Sequence, residues 1–327
     1  MKWILGFAVL CVFFSVDAIA QTGWYKGNTH VHTVLCGHAD STPVVVTAWY
    51  HDRGYNFLIL SEHNQYIDPE TVGMPENKRE DFILVPGEEV SGKKAVHSTA
   101  MNTQGKVAWR DGGNEGTVIQ QHTDGIRAAG GHIILNHPNY KYAIEAGDLR
   151  TVQGLYMFEL YNATPGVNNL GELDHDATEV LWDKWLGWGM TVYGVASDDA
   201  HIFKERHPNK SNPGRGWVMV RSEELTGDAL TAAMVRGDFY SSSGVMLSAV
   251  ERTKGRYRVV VDEEATLKAL ESEDLFGYIL RDQKETSDGC VIEFIGVGGK
   301  VLKRVEGLKA AMPVAQNLPY VRCRVSY

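Results

Sequence analysis

Between Trp24 and about Ser243, short apolar runs alternate with amphipathic stretches, and polar clusters mark the boundaries. Thr42-Pro43 supplies a cap and a first-turn proline, and Gly54 a stop, which predicts a helix between them. Tyr55 to Leu60 reads as a buried strand that runs into Ser61-Glu62-His63-Asn64. Phe82 to Val85 repeats the pattern before Pro86-Gly87-Glu88-Glu89. A helix over Thr117 to Ala129, closed by Gly130-Gly131, precedes a strand over His132 to Leu135 that ends in Asn136-His137-Pro138. Leu155 to Leu160 and Thr191 to Ala196 add two strands, with a helix around Thr178 to Leu186 between them. Such alternation implies a mainly parallel sheet, either a barrel or a doubly wound sheet. The polar clusters follow the C-terminal ends of strands, where barrel sites are built, and this favours the barrel.

From about Val245 the pattern changes. Arg256 to Val261, Val291 to Ile295 and Tyr320 to Ser326 read as strands joined by turns such as Gly298-Gly299, with one helical segment near Glu264 to Glu271. The predicted organisation is a main unit over residues 21–245 and a small all-β appendage over 246–327. At the other end, Lys2, the apolar run Ile4 to Val16 and Ala18-Ile19-Ala20 stand in the order of a secretory signal peptide, not of a buried helix. Cleavage is expected after Ala20, leaving an exported chain, periplasmic or secreted. No later apolar run is long enough to span a bilayer.

A net charge of −9 disfavours bulk nucleic-acid binding, which depends on neutralising phosphates with Lys and Arg. Small phosphorylated substrates stay open, because bound cations reverse the local field. Cys36, Cys290 and Cys323 remain after processing, an odd number that excludes a disulfide framework. Cys36 is expected as a free thiol near the site but not an obligatory ligand, with Cys290 and Cys323 unpaired or joined to each other.

The histidines concentrate at strand ends. Of twelve, His30, His32, His38, His63, His97, His137 and His201 fall in such clusters. His30-Val31-His32 has the i, i+2 spacing that puts both rings on one face of an extended chain. Asp199-Ala200-His201 repeats the spacing with a carboxylate, and Glu89 and His97 flank another turn. Any one of these histidines alone is more often a surface or core residue than a ligand. Together they form the mixture a metal hydrolase needs, since imidazoles suit zinc, iron and manganese and a carboxylate can bridge two ions. His51, His122, His175 and His207 lie in helical or loop contexts and are read as structural, and His132 as a core or supporting residue.

The ordered motifs Asn28-Thr29-His30-Val31-His32-Thr33, Ser61-Glu62-His63-Asn64, Pro86-Gly87-Glu88-Glu89, Asn136-His137-Pro138 and Ser197-Asp198-Asp199-Ala200-His201 resemble the polymerase-and-histidinol-phosphatase (PHP) phosphoesterases over about residues 24–245. Later stretches, Gly216 to Val220 and Gly237 to Ser241, resemble the exported stand-alone branch of that family. The resemblance implies a distorted (β/α)7 barrel with two or three divalent ions (Zn, Mn or Fe) in its mouth. His30, His32, Glu89 and Asp199 would hold the first ion, and Glu89 would bridge to a second held by His97 and His137. His38, His63 and His201 would hold the third. Glu89, Asp199 and His201 are thereby the implied catalytic residues, around a hydroxide shared between metals. Glu88, Asp198 and Asp40 stand beside these positions as alternatives, and Asp40 either joins or replaces His38.

The expected substrate is a small phosphomonoester or phosphodiester. A carboxylic or carbamate ester is the alternative reaction class, and a non-catalytic binding module the alternative role. Lys204, Arg206 and Arg215 are candidate phosphate contacts, and Glu159 and Asn162 candidate substrate contacts at the rim. Oligomeric state is not legible.

Overall fold

Strand β1 (Gly23–Asn28) leads into the first histidines. It pairs in parallel with β2 (Phe57–Leu58), which pairs in parallel with β3 (Ile83–Leu84). On its other side lies antiparallel β9 (Trp217–Ser222), flanked by β10 (Phe239–Ser242). A second five-stranded sheet runs in order through β4 (Gly87–Ser91), β5 (His97–Met101), β6 (His132–Leu135), β7 (Met157–Asn162) and β8 (Tyr193–Ser197). These assignments come from a computed structural model that describes residues 22–74, 80–92, 94–275 and 289–327, so the expected signal peptide lies outside the described residues.

Phe57, Ile59, Met101, Ile134, Met157, Val195, Val218 and Val220 come from both sheets and form one buried cluster. The sheets therefore enclose a common core. Helix α1 (Pro43–His51) covers the first sheet through Val46 and Tyr50. Helices α2 (Glu115–Ala128) and α3 (Thr178–Gly187) pack on the second through Val118, Ile119, Ile126, Leu181 and Trp185. Helix α4 (Gly227–Val235) adds Leu230, Ala233 and Met234 to the shared core.

The structure does not confirm the expected distorted (β/α)7 barrel, and no closed barrel is found among the described residues. Two sheets stand in its place, joined near the histidines by single bridges, Val31 to Ala200 and His63 to Glu89. A closed parallel barrel needs a crossover helix after each strand. Only Val85-Pro86 separates β3 from β4, and β4, which ends at Ser91, is followed by antiparallel β5 from His97. Neither connection has room for a helix.

Beyond residue 245, β11 (Leu247–Thr253), β12 (Arg256–Val261) and β15 (Lys309–Pro313) make one antiparallel sheet. A second comprises β13 (Val291–Gly296), β14 (Lys300–Glu306) and β16 (Arg322–Ser326). Helix α5 (Glu263–Leu270) follows β12. Cys36, Cys290 and Cys323 are all free. Among the described residues, no helix is long and apolar enough to cross a membrane.

Gly27 shows how closely β1 and β2 approach. A Cβ there would lie 2.1 Å from the ring of Phe57, which is 1 % exposed and cannot swing away. Gly27→Ala is expected to cost about 1–3 kcal/mol in urea unfolding. An unchanged midpoint would show that the ring can yield.

Candidate metal centre

The site is assembled by the ends of these strands. Asn28, the last residue of β1, donates through Nδ2 to Asp198 Oδ2 (2.7 Å) and Gly216 O (2.8 Å), while its Oδ1 accepts from His30 N (3.0 Å). The chain leaving β1 is thereby fixed, and the i, i+2 spacing turns both imidazoles to the same side, with Nε2 atoms 3.1 Å apart. Asp199 N donates to His30 O and His32 N to Ala200 O, which lays the 199–201 segment alongside.

Glu88 and Glu89 are separated by the pleat of β4, since neighbouring residues on a strand face opposite ways. Glu88 accepts from Val107 N on the far face. Glu89 enters the cluster, fully buried, and five imidazoles surround its carboxylate. His63 Nδ1 lies 2.7 Å away, His97 Nδ1 3.2 Å, His30 and His137 Nε2 3.3 Å each, and His32 Nε2 3.6 Å. Asp198 and Asp199, just past the end of β8, also take different partners. Asp198 accepts from Asn28, the Tyr50 hydroxyl and the backbone N–H groups of Gly214, Arg215 and Gly216, and so clasps a loop. Asp199 lies 3.3 Å from His30 Nε2 and 3.4 Å from His32 Nε2.

His38 and His201 meet nearer the solvent, Nε2 to Nε2 at 2.9 Å, and the His63 ring stacks on His38 at 5.2 Å. Asp40 points elsewhere, accepting from Phe203 N and Lys204 N. All nine sequence-predicted ligands are thus brought together, and Glu88, Asp198 and Asp40 are not among them. Groups of donors close enough to share an ion include His38, His63 and His201; His30, His32 and Glu89; His30, His137 and Asp199; and His63, Glu89 and His97. Three residues here, Asn64, His137 and Asp199, hold φ values of +51°, +23° and +48°. Such backbone costs of order 1–3 kcal/mol each and concentrates at functional sites.

The electrostatics are polarised. Burial opposes protonation of His30, but Asp199, Glu159 and Glu89 outweigh it and raise its pKa well above the usual imidazole value. Burial, reinforced by His201, pulls neighbouring His32 down to about 3. Burial works against ionised Glu89 and Asp199, yet His30 and the other imidazoles hold both far below the usual carboxylate range. The cluster is a buried concentration of negative charge whose partners are imidazoles, which only protons or cations can balance.

Several sequence expectations are corrected. Glu159 and Asn162 are 1 % and 0 % exposed and do not reach a rim. Glu159 takes His30 Nδ1 (2.8 Å), His137 N (2.7 Å) and Asn162 Nδ2 (2.9 Å), so it positions histidines instead of substrate. Asn162 also reaches Asp199 Oδ2 at 3.2 Å. Arg215 is buried with its guanidinium on Lys210 O, His207 O and Asn212 Oδ1, and Arg206 pairs with Glu273 and Asp274. Neither guanidinium is directed at the histidines. Lys204 stays exposed. His51 pairs with Asp52 and Asp81, and His122 packs on Trp109 beside Ser98. Glu62 was missed. It is fully buried, accepts from Thr33 N and lies 4.0 Å from His32 Nδ1. Its only sequence signal was adjacency to His63.

A mixed α/β body with a buried histidine–carboxylate cluster is therefore what the chain presents. No family model matches it, and no curated protein does. Among solved structures, a two-domain protein from Bacteroides vulgatus, containing a predicted PHP-like metal-dependent phosphoesterase, is similar over 90 % of this chain and 96 % of its own, with 13 % identity and a TM-score of 0.48. A protein from Bifidobacterium adolescentis, provisionally named a metal-dependent phosphoesterase, is similar over 65 % of this chain and 94 % of its own, with 13 % identity and a TM-score of 0.41.

Proposed function

We propose that the chain is an exported, metal-dependent phosphoesterase of PHP type, with its hydrolase unit ending near residue 245 and its signal peptide near Ala20. One observation carries the chemistry: five imidazoles converge on the single carboxylate of Glu89. They cannot all be protonated in so small a buried volume, and neutral rings facing nitrogen to nitrogen have too few protons to share. His32 Nδ1, His137 Nδ1 and Glu89 Oε2 are buried without a hydrogen-bond partner. Glu89 Oε2 lies close to His63 but is not aligned for a hydrogen bond. Divalent cations fit this donor set, nitrogen with carboxylate oxygen, which suits zinc, manganese or iron.

In this reading His30, His32, Glu89 and Asp199 hold one ion, Glu89 with His97 and His137 a second, and His38, His63 and His201 a third. Bound ions of this kind acidify water and neutralise charge on phosphoryl oxygens. The chain's own residues fix the donors. Glu159 sets the ring orientation of His30, Asn136 Nδ2 donates to Glu89 Oε1 (2.9 Å), and Asn162 holds Asp199. Aryl phosphates assayed beside aryl carboxylic and carbamate esters, with added manganese or zinc, test the reaction class. Turnover of the phosphates alone is expected, and cleavage of the carboxylic or carbamate esters alone would move the assignment to that class.

Metal stoichiometry tests the donor assignment separately. Protein purified without chelator should carry more than one equivalent of transition metal. His38 is exposed and its nearest rings are His201 and His63 of the outer group, with His32 farther off, so His38→Ala should lose about one equivalent and retain reduced turnover. Loss of all metal in this variant would mean that the groups are not separable.

A further inference from the structure

Away from the histidines, a cavity of about 530 Å³ opens between β8 and β10 on one side and β11, β12 and β16 on the other. Trp182, Leu186, Met190, Phe239, Val250 and Val259 belong to its walls. Protein interiors are close-packed and hold few voids larger than a water molecule, so a space of this size is a feature of the fold. Its volume falls within the usual ligand range of roughly 300–1,000 Å³. The walls leave an occupant little to hydrogen-bond. Trp182 Nε1 already donates to Val192 O (2.8 Å), the Ser241 hydroxyl to Gly194 O (2.7 Å) and the Ser242 hydroxyl to Val245 O (2.6 Å). The Tyr240 oxygen accepts from Leu247 N (3.0 Å), and Arg322 is spent on Asp183 and Glu179. A ligand with polar groups along its body would lose hydration here without compensation, so the body that fits is apolar.

One edge is different. Val250 and Arg252 of β11 stand opposite Val259 and Tyr257 of β12, and the i, i+2 spacing puts all four on the face that lines the cavity. Arg252 thus occupies a place where the alternation calls for an apolar residue. Its side chain is 39 % exposed, so the guanidinium is within reach of an entering ligand. It lies 3.0 Å from Asp238 Oδ1, but the same carboxylate has Arg236 at 3.1 Å and Arg221 at 3.6 Å. Among the described residues these three guanidinium groups share one carboxylate, which leaves two positive charges over. Gly237 and Phe239, on either side of Asp238, also line the cavity, so the surplus charge sits at its rim. A hydrated inorganic anion would gain nothing from the walls, and a neutral lipid would leave the arginines unused.

We propose that this cavity binds an amphiphilic acid of the fatty-acid class, its chain among Trp182, Leu186 and Met190 and its carboxylate at Arg252. None of these residues belongs to the histidine cluster, so the site stands whether or not the hydrolase reading does.

Calorimetric titration of the full chain with octanoate and decanoate, below their micelle concentrations, tests it, with octanol and inorganic phosphate as comparison probes. One saturable site is expected, tightening about fourfold per added methylene. Arg252→Leu should weaken octanoate about fivefold or more and leave octanol unchanged. Asp238 keeps Arg221 and Arg236 in that variant, so no charge is stranded and the fold should hold. Leu186→Trp, which fills the cavity from α3, should abolish binding of both. Lys254→Met, at an exposed position in the β11–β12 turn, should bind as wild type does. Circular dichroism melts identify any variant that fails to fold, and Arg252→Leu, at an exposed position, then decides. Failure of both acids to bind wild type overturns the proposal, as does acid binding that survives Leu186→Trp. Octanol or phosphate binding as tightly as octanoate, or undiminished acid binding in Arg252→Leu, overturns the ligand class.

Discussion

Glu89→Gln is expected to remove measurable hydrolysis and to lower bound metal by about two equivalents, because one carboxylate is assigned to two ions. The amide keeps the shape of the side chain but replaces an anionic oxygen pair with one neutral oxygen and an NH2 group. In the native cluster both carboxylate oxygens face imidazole nitrogens. Oε1 faces His30, His97 and His137, and Oε2 faces His32 and His63. Whichever way the amide turns, its NH2 confronts imidazole nitrogens that should be donating lone pairs to a cation. Glu88→Gln is the matched control. Its carboxylate accepts from Val107 N on the other face of β4, a bond that an amide oxygen can keep, so metal content and turnover should stay near wild type. Metal analysis and aryl phosphate assays on the two variants, both checked for folding, decide the matter. Full metal content and normal turnover in Glu89→Gln would falsify the bridging role.

The choice between Glu88 and Glu89 shows what the sequence could and could not convey. Local signals were strong where caps and periodicity agree. Thr42-Pro43 opens α1, α2 falls within two residues of the predicted Thr117 to Ala129, and the strand over His132 to Leu135 lies at its predicted position. The β4–β5 hairpin was invisible, because Gly87-Glu88-Glu89 is polar and reads as a loop. Its strand character comes from burial against a polar site, a tertiary effect that overrides propensity. The division into two sheets was not legible for a related reason. Strand order and direction depend on non-local pairing, and the antiparallel placement of β9 beside β1 leaves no local trace.

The histidines were legible because i, i+2 spacing on extended chain has one geometric meaning. Side-chain direction elsewhere was not. Glu159 sits near the end of β7, as a rim residue would, yet its carboxylate turns inward to His30. Arg215 was basic and close to the motifs in sequence, but backbone carbonyls take up its guanidinium. A loop cation is recognisable as a substrate contact only when its own partners are known.

Arg322→Leu should be the most destabilising single change outside the core, costing about 3–5 kcal/mol. Arg322, in β16, and Asp183, in α3, are each 7 % exposed. The guanidinium grips Asp183 with two hydrogen bonds of 2.8 Å and reaches Glu179 at 2.6 Å, while the Tyr320 hydroxyl donates to Asp183 at 2.9 Å. Burial disfavours the charged guanidinium, but Asp183 and Glu179 more than compensate and raise its pKa. Removing the arginine strands a buried carboxylate, and that desolvation, more than the lost attraction, sets the cost. Arg324 also touches Glu179, and Glu293 besides, but its side chain is 47 % exposed, so Arg324→Leu should cost no more than about 1 kcal/mol. The double variant Asp183→Leu/Arg322→Leu should recover much of the loss, since no charge is then left unpaired. Helix α3 lies between β7 and β8 in the chain, and Asp199 is the second residue after β8, yet the pair touches none of the nine donors. Stability should therefore fall while metal content per folded molecule holds. Urea unfolding of the four proteins with metal analysis checks both parts, and an Arg322→Leu variant within about 1 kcal/mol of wild type would mean that water reaches Asp183.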